Sequence, residues 1–237
     1  MTDIILIETS TELCSAAIAS DGKIISYRES EKPKAHASLT AVFIDEMLKE
    51  TGRKVSDCSA VCVSMGPGSY TGLRVGVSTA KGLCFGAHIP LLAAGTLDTL
   101  AWQAIRPAGC QSEETLLPEG CRYVIPVIDA RRMEVYTAIF TPDGKQVSDT
   151  RAQIIDSGSF AEQLAEGPVL FIGDAASKCS SVISHPSASF VQCCPKASSM
   201  LVPAMTEYKE KRFKDVAYFE PFYLKDFVAT VSKKKLF

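Results

Sequence analysis

Apolar and polar positions along the chain fall into one pattern that occurs twice. The first copy opens with Ile5-Leu6-Ile7, closes that run with Glu8, and turns through Thr9-Ser10-Thr11. A run from Leu13 to Ala19, read as alternating, follows, then Asp21-Gly22-Lys23 and Ile24-Ile25-Ser26. The second copy reads Ile125-Pro126-Val127-Ile128-Asp129, Ala130-Arg131-Arg132, and Val135 to Phe140. Asp143-Gly144-Lys145 and Gln146-Val147-Ser148 complete it. Each copy therefore predicts a buried strand, a terminal acid, a polar turn, a second strand, an Asp-Gly turn and a third strand. Asp-Gly between apolar runs marks a hairpin because such turns need positive φ.

Helical and extended patterns alternate after each opening. Residues 35–51 place Leu39, Val42, Phe43, Met47 and Leu48 on one face, the spacing of an amphipathic helix. Residues 60–65 read as a strand buried on both faces, 71–87 as a helix and 89–94 as a strand. In the second half, 159–166 reads as helix, 169–172 as strand and 198–212 as a longer helix. Such alternation implies mixed sheets covered by helices. Two α/β lobes of one plan give the actin-like fold shared with Hsp70 and sugar kinases. The expected division is residues 1–104, joined by a C-terminal segment from about 213–237, and residues 105–212.

In that fold the turns after each first strand face a cleft and can embrace phosphates. Glu8 and Asp129 would then stand nearest a metal–nucleotide; the alternative is that they end strands and accept turn amides. The sharpest motif, Gly66-Pro67-Gly68-Ser69-Tyr70-Thr71-Gly72-Leu73-Arg74, links a strand to a helix whose start Ser69 or Thr71 can cap. A glycine-lined helix N-terminus suits an anion. Counted against known patterns, however, it is one residue too long for G-x-G-x-x-G, lacks the Walker Gly-Lys-Ser/Thr, and has Pro67 and Thr71 where a serine-hydrolase elbow needs glycines. No cofactor is assigned on this basis; ATP or ADP is the one the fold suggests, with Glu8, Thr9, Ser10, Gly66, Gly68, Ser69 and Asp129 as phosphate-loop candidates. Beyond the block, Gly72, Gly76 and Ala80 form a smooth stripe beside Leu73, Val77 and Cys84. Small residues at that spacing permit close approach, either by the chain's own elements or by a second protein.

Composition narrows the classes further. The chain has 237 residues, is 46% hydrophobic and carries a formal net charge of −2. A chain that binds nucleic acid alone is usually basic, so any RNA role is expected to be shared with a partner. Residues 209–237 hold eight Lys or Arg against four Asp or Glu, and Lys233-Lys234-Lys235 reads as a solvated end. Nine cysteines without a C-x-x-C pair, and Met1-Thr2-Asp3 leading straight into a strand, predict a reduced, soluble, cytosolic protein. No apolar run approaches the roughly 20 residues that span a bilayer.

Taken together, Ile5 to Thr11, Gly66 to Gly76, Lys81-Gly82-Leu83, Asp129-Ala130-Arg131-Arg132-Met133-Glu134-Val135-Tyr136 and Pro221-Phe222-Tyr223-Leu224 resemble the TsaB (YeaZ) family. The resemblance runs from residue 4 to about 224 and is weakest at 107–121 and 185–197. It implies a role in making N6-threonylcarbamoyladenosine beside the anticodon of tRNA, as a non-catalytic partner of the paralogous TsaD-type transferase, joined by a TsaE-type ATPase. It implies a homodimer when the partner is absent, and tRNA contact only through the complex. The partner surface implied is that of the helices at 35–51 and 72–87, with Leu39, Phe43, Met47, Gly72, Leu73, Gly76, Val77, Ala80 and Leu83 as its residues. The transferase paralogue carries a His-x-x-x-His pair where this chain has Thr96 and Leu100, and neither can replace imidazole on a metal. No catalytic residue or metal site is therefore expected. The three histidines, His36, His88 and His185, lack ligand spacing, which disfavours a peptidase or metal hydrolase. Glu8 departs from the aspartate expected in the family. The competing reading is a small-molecule kinase or ATPase of the actin-like fold, for which the chain is short.

Overall fold

A computed structural model of the chain describes residues 1–106 and 115–225; the tail at Lys233-Lys234-Lys235 lies outside the described residues. In the first half, β1 (Asp3–Glu8), β2 (Cys14–Ser20), β3 (Lys23–Ser30), β4 (Ala60–Ser64) and β5 (Leu91–Ala94) pair in the order β3-β2-β1-β4-β5. In the second, β6 (Tyr123–Asp129), β7 (Glu134–Thr137), β8 (Arg151–Ile154), β9 (Val169–Gly173) and β10 (Ala188–Gln192) pair in the order β8-β7-β6-β9-β10. β1 runs antiparallel to β2 and parallel to β4, and β6 stands in the same relation to β7 and β9. The sequence repeat is thus a structural duplication, and it builds the two-lobed mixed-sheet plan of the actin-like fold. Every residue of β1 and β4 is buried, as expected of strands covered on both faces.

The covering helices explain that burial. Helices α1 (His36–Thr51) and α2 (Tyr70–Ala87) lie on one face of the first sheet, where Ile44, Met47, Val77, Ala80 and Cys84 meet Ile5, Ile7 and Ile18. The opposite face is closed from the far end of the chain by a 3-10 turn (Ala197–Met200) and helix α6 (Leu201–Lys209), through Met200 and Ala204. Helix α3 (Thr96–Ile105) follows β5 in sequence but packs on the second sheet, with Leu97, Leu100 and Ala101 against Val124, Phe140 and Ile172. Helices α4 (Ala161–Glu166) and α5 (Ala176–Ser180) cover the remaining face. Each lobe therefore borrows a helix from the sequence of the other.

Two details differ from the pattern read along the chain. The buried residues of α1 are Thr40, Ile44, Met47 and Leu48; Leu39 and Phe43 are half-buried and Val42 is 45% exposed. Thr40 takes the inner position because its hydroxyl donates to His36 O (2.7 Å) and meets Cys14 Sγ (3.4 Å). The third strand of the second copy is Arg151–Ile154, not Gln146–Ser148. In the first copy Asp21 and Gly22 both take positive φ (45° and 77°) and feed β3 directly. In the second only Gly144 does (φ 86°), and the turn closes through Thr141 N–H to Lys145 O (2.9 Å). That turn folds Phe140, fully buried, against Val124 and beside α3, so the strand begins later.

Candidate functional site

The glycine block leaves β4 at Ser64 and rises into α2. Gly66 has φ 103°, and Phe222 O lies 2.8 Å from where a Cβ would stand, so a side chain is excluded twice over. Its carbonyl accepts Thr96 N–H (3.0 Å). Ser69 caps the helix, its Oγ accepting Gly72 N–H (3.3 Å). The rest of the block presses on the turn after β1. Ser69 N–H donates to Ser10 O (2.6 Å), and Thr9 Oγ1 donates to Gly72 O (2.9 Å). A Cβ at Gly68 would fall on Ser10 O, one at Gly72 on Thr9 O, and one at Gly76 on Thr9 Oγ1. Of the two partners open to the small-residue stripe, the structure supplies the chain's own β1–β2 turn.

The two strand-end acids sit in opposite surroundings. Glu8 is fully buried and its Oε1 accepts Ser10 N–H (2.6 Å); among the described residues Oε2, Ser10 Oγ and Thr11 Oγ1 have no partner at full hydrogen-bond geometry. Burial pushes its carboxyl up to about 7, while the Ser10 N–H bond and the nearby polar groups of Ser10, Ser64 and Thr9 pull it back. Asp129 is half-exposed, pairs with Lys178 (3.0 Å) and accepts Arg131 N–H (2.5 Å). Its own N–H donates to Asp174 Oδ1 (2.9 Å), a carboxyl that burial, then the neighbouring Asp129 and Glu12 charges, raise to about 6. Glu8 faces hydroxyls of its own turn and Asp129 faces a lysine, so the two do not form a matched pair. Among the described residues no group of three His, Cys, Asp or Glu side chains could hold a metal ion.

The sequence-read interface residues divide by depth. Met47, Gly72, Leu73, Gly76, Val77 and Ala80 are buried inside the chain, which corrects their reading as surface residues; Leu39, Phe43 and Leu83 are half-buried. The outer face of α1 and α2 instead presents Val42, Arg74, Ser78 and Phe85, the last 77% exposed. A shallow groove of about 410 Å³ runs between them, lined by Ala37, Tyr70, Arg74, Val75 and Ser78. Phe85 was not legible as exposed, because it adjoins the buried Cys84 in an apolar run.

The late Pro221-Phe222-Tyr223-Leu224 motif belongs to a strap across the molecule. Lys214 N–H joins Leu91 O (2.8 Å), and Lys81 Nζ donates to Ala217 O (2.9 Å) and Phe219 O (3.2 Å). Phe222 N–H then donates to Met65 O (2.7 Å), the Tyr223 ring lies 4.9 Å from Tyr70, and Lys225 pairs with Glu134 of the second lobe. Helix α3 starts behind the block. Thr96 is buried with its hydroxyl 2.9 Å from Ser64 Oγ, and Leu100 is fully buried in the second lobe's core.

Comparison with known proteins agrees with this layout. The family model described as TsaD, tRNA N6-adenosine threonylcarbamoyltransferase, matches residues 29–233. The tRNA threonylcarbamoyladenosine biosynthesis protein TsaB of Haemophilus influenzae is 28% identical over 98% of this chain and 96% of its own. The Bacillus subtilis TsaB is 30% identical over 72% of this chain and 70% of its own. The chain belongs to the TsaB family. The Escherichia coli TsaB is 34% identical over 59% of this chain and about half (55%) of its own length. A family member of this kind serves tRNA threonylcarbamoyladenosine biosynthesis. YeaZ from Pseudomonas aeruginosa superposes with a TM-score of 0.80 at 24% identity over 94% of this chain and all of its own, a likeness of fold. No helix among the described residues is long and apolar enough to cross a membrane.

Proposed function

We propose that this TsaB-family chain is a non-catalytic partner in the threonylcarbamoylation of tRNA, acting by pairing with a TsaD-type transferase. The observation that carries the reading is the start of α3. At the positions where the resemblance places the transferase's two histidines, Thr96 is hydrogen-bonded to Ser64 and Leu100 fills a hydrophobic core. A Leu at 0% exposure supports packing and ligates nothing. The glycine block supports the same reading, because Ser69 N–H, a donor that a phosphate would use, is taken by Ser10 O. Nor does Glu8, fully buried and held toward its protonated form, fit a kinase or ATPase that needs an ionised acid toward a metal. We assign no nucleotide to the chain.

The partner surface in this reading is the outer face of α1 and α2, with Leu39, Phe43 and Leu83 half-buried at its floor and Val42 and Phe85 projecting from it. A phenylalanine 77% exposed on a helix of small residues suits close helix–helix docking. The TsaE-type ATPase joins the pair, the same face makes a homodimer when the transferase is absent, and the assembly is cytosolic. The test is reconstitution with the transferase, the ATPase, threonylcarbamoyl-adenylate and unmodified tRNA, reading modified nucleoside by mass spectrometry. Omitting the chain should collapse the yield, and the chain alone should give none. Phe85→Glu should abolish co-purification with the transferase while the circular dichroism melt is unchanged. Full yield without the chain, or an intact complex with Phe85→Glu, overturns the reading.

A further inference from the structure

The hairpin between β6 and β7 reverses through Arg131 and Arg132, closed by Ala130 N–H to Glu134 O (3.1 Å) and Glu134 N–H to Arg131 O (3.2 Å). Both arginines take left-handed backbone, with φ 69° and 51°. Consecutive positive φ values at a hairpin tip favour Asn-Gly or Asp-Gly, and long L side chains there are strained. Such an outlier points to function when its surroundings hold it in place. Here they do. Arg131 N–H donates to Asp129 Oδ1, Asp129 is tied to Lys178, and Lys178 Nζ also donates to Glu134 O (3.1 Å).

The charge arrangement is as specific as the backbone. Asp129 and Glu134, the two acids of the hairpin, each pair with a lysine, Lys178 and Lys225. Arg28, Arg53 and Arg212 each pair with a carboxylate elsewhere in the protein, Arg74 lies over the Tyr70 ring and Arg151 bonds Gln153. Among the described residues Arg131 and Arg132 pair with none, so two exposed arginines follow one another in the turn with the hairpin's acids already paired to lysines. Guanidinium forks match phosphate oxygens in a bidentate way. An exposed tip suits an extended polyanion better than an enclosed small molecule.

We propose that the Arg131-Arg132 turn is a clamp for the phosphodiester backbone of RNA, giving the chain a direct hold on the tRNA that the assembly modifies. This rests on the function proposed above and deepens it. Contacts of this kind supply affinity and register and no base specificity. They also reconcile RNA binding with a net charge of −2, since the positive potential is local.

The informative variant is Arg131→Asn/Arg132→Gly, because it installs the residues the turn prefers and should fold at least as well as the wild type. Binding of an unmodified tRNA transcript is measured by fluorescence anisotropy across a salt series, with the full chain alone and with the chain bound to the transferase. The variant should bind about tenfold more weakly at low salt, with the slope of log K against log salt smaller by about 1.5, since each lost phosphate contact removes about 0.7–0.9. Arg131→Lys/Arg132→Lys should retain most of the slope. A folded Asn-Gly variant with wild-type affinity and slope overturns the proposal. So does a variant that loses magnesium–ATP binding by calorimetry while holding tRNA, which would assign the turn to a nucleotide. If reconstitution still requires the chain, the clamp alone has failed. If it does not, the partner reading has failed, and the salt slope of the isolated chain still decides the clamp.

Discussion

Glu8→Gln should stabilise the protein at neutral and higher pH and do little in acid. Glu8 lies at the end of β1 with no exposure, and among the described residues no lysine or arginine pairs with it. The folded state holds its carboxyl near 7, against an ordinary value of 4.5. Because the folded value is the higher one, the native state prefers the protonated form. Native stability is therefore complete below about pH 4.5, declines as pH rises toward 7, and then levels off. The difference of about 2.5 units, at about 1.4 kcal/mol each, amounts to about 3 kcal/mol. Glutamine keeps the acceptor for Ser10 N–H and brings an N–H2 group beside the Ser10 hydroxyl. It leaves no charge to bury. Denaturant unfolding of both proteins, followed by circular dichroism at intervals from pH 4.5 to 8, reads the gap directly. Asp174 contributes a similar decline to both proteins and cancels in the comparison. Parallel curves, or a gap that is widest in acid, would refute the reasoning by showing that Glu8 ionises in the fold without penalty.

Gly72→Ala should destabilise by about 1–3 kcal/mol in a thermal melt, since its Cβ falls on Thr9 O and the β1–β2 turn must move. A neutral result would return the small-residue stripe to the surface. Leu100→Ala should cost about 2–5 kcal/mol by leaving a cavity between α3 and the second sheet, read as a lowered unfolding midpoint. Thr96→Val should lose about 1 kcal/mol with the Ser64 hydrogen bond and leave reconstituted modification at its wild-type yield. A large drop in yield with an intact melt would give Thr96 a chemical role.

The duplication was legible because β1 and β6 are central strands, and a strand covered on both faces leaves an unbroken apolar run. β8 and β10 were not. They are edge strands, Ile154 of β8 is 73% exposed, and β10 has no fully buried residue, so no alternation marks them. The phase of α1 was ambiguous, because Leu39-Phe43 and Thr40-Ile44 fit the same helical period and only packing against Cys14 decides between them. The partner of the glycine stripe was out of reach in sequence: Thr9 lies 63 residues from Gly72. Glu8 reads as an ordinary strand-end acid, and its burial arises where the β1–β2 turn and the glycine block come together in space. Arg131-Arg132 reads as a turn, but its left-handed backbone runs against what those residue types prefer.

These placements share one consequence for how the protein works. A turn after a first strand and a glycine-lined helix N-terminus can each serve a phosphate. Here they hold each other, through Ser69 N–H to Ser10 O, Thr9 Oγ1 to Gly72 O, and three glycines seated on the turn. Donors that could serve an anion are here spent on packing contacts. In the reading proposed above, function falls to what stays outside: the α1–α2 face and the Arg131-Arg132 turn. The strap joins them, since Lys81 of α2 holds it at Ala217 and Phe219, the tilted Tyr223 ring lies against Tyr70, and Lys225 ends on Glu134, two residues from Arg132. A transferase docked on α2 would thus press on the element that positions the turn. Lys225→Ala should leave pairing intact and weaken tRNA affinity of the paired complex, because Glu134 would be free to compete for the arginines. Undiminished affinity would show that the turn is held without the strap.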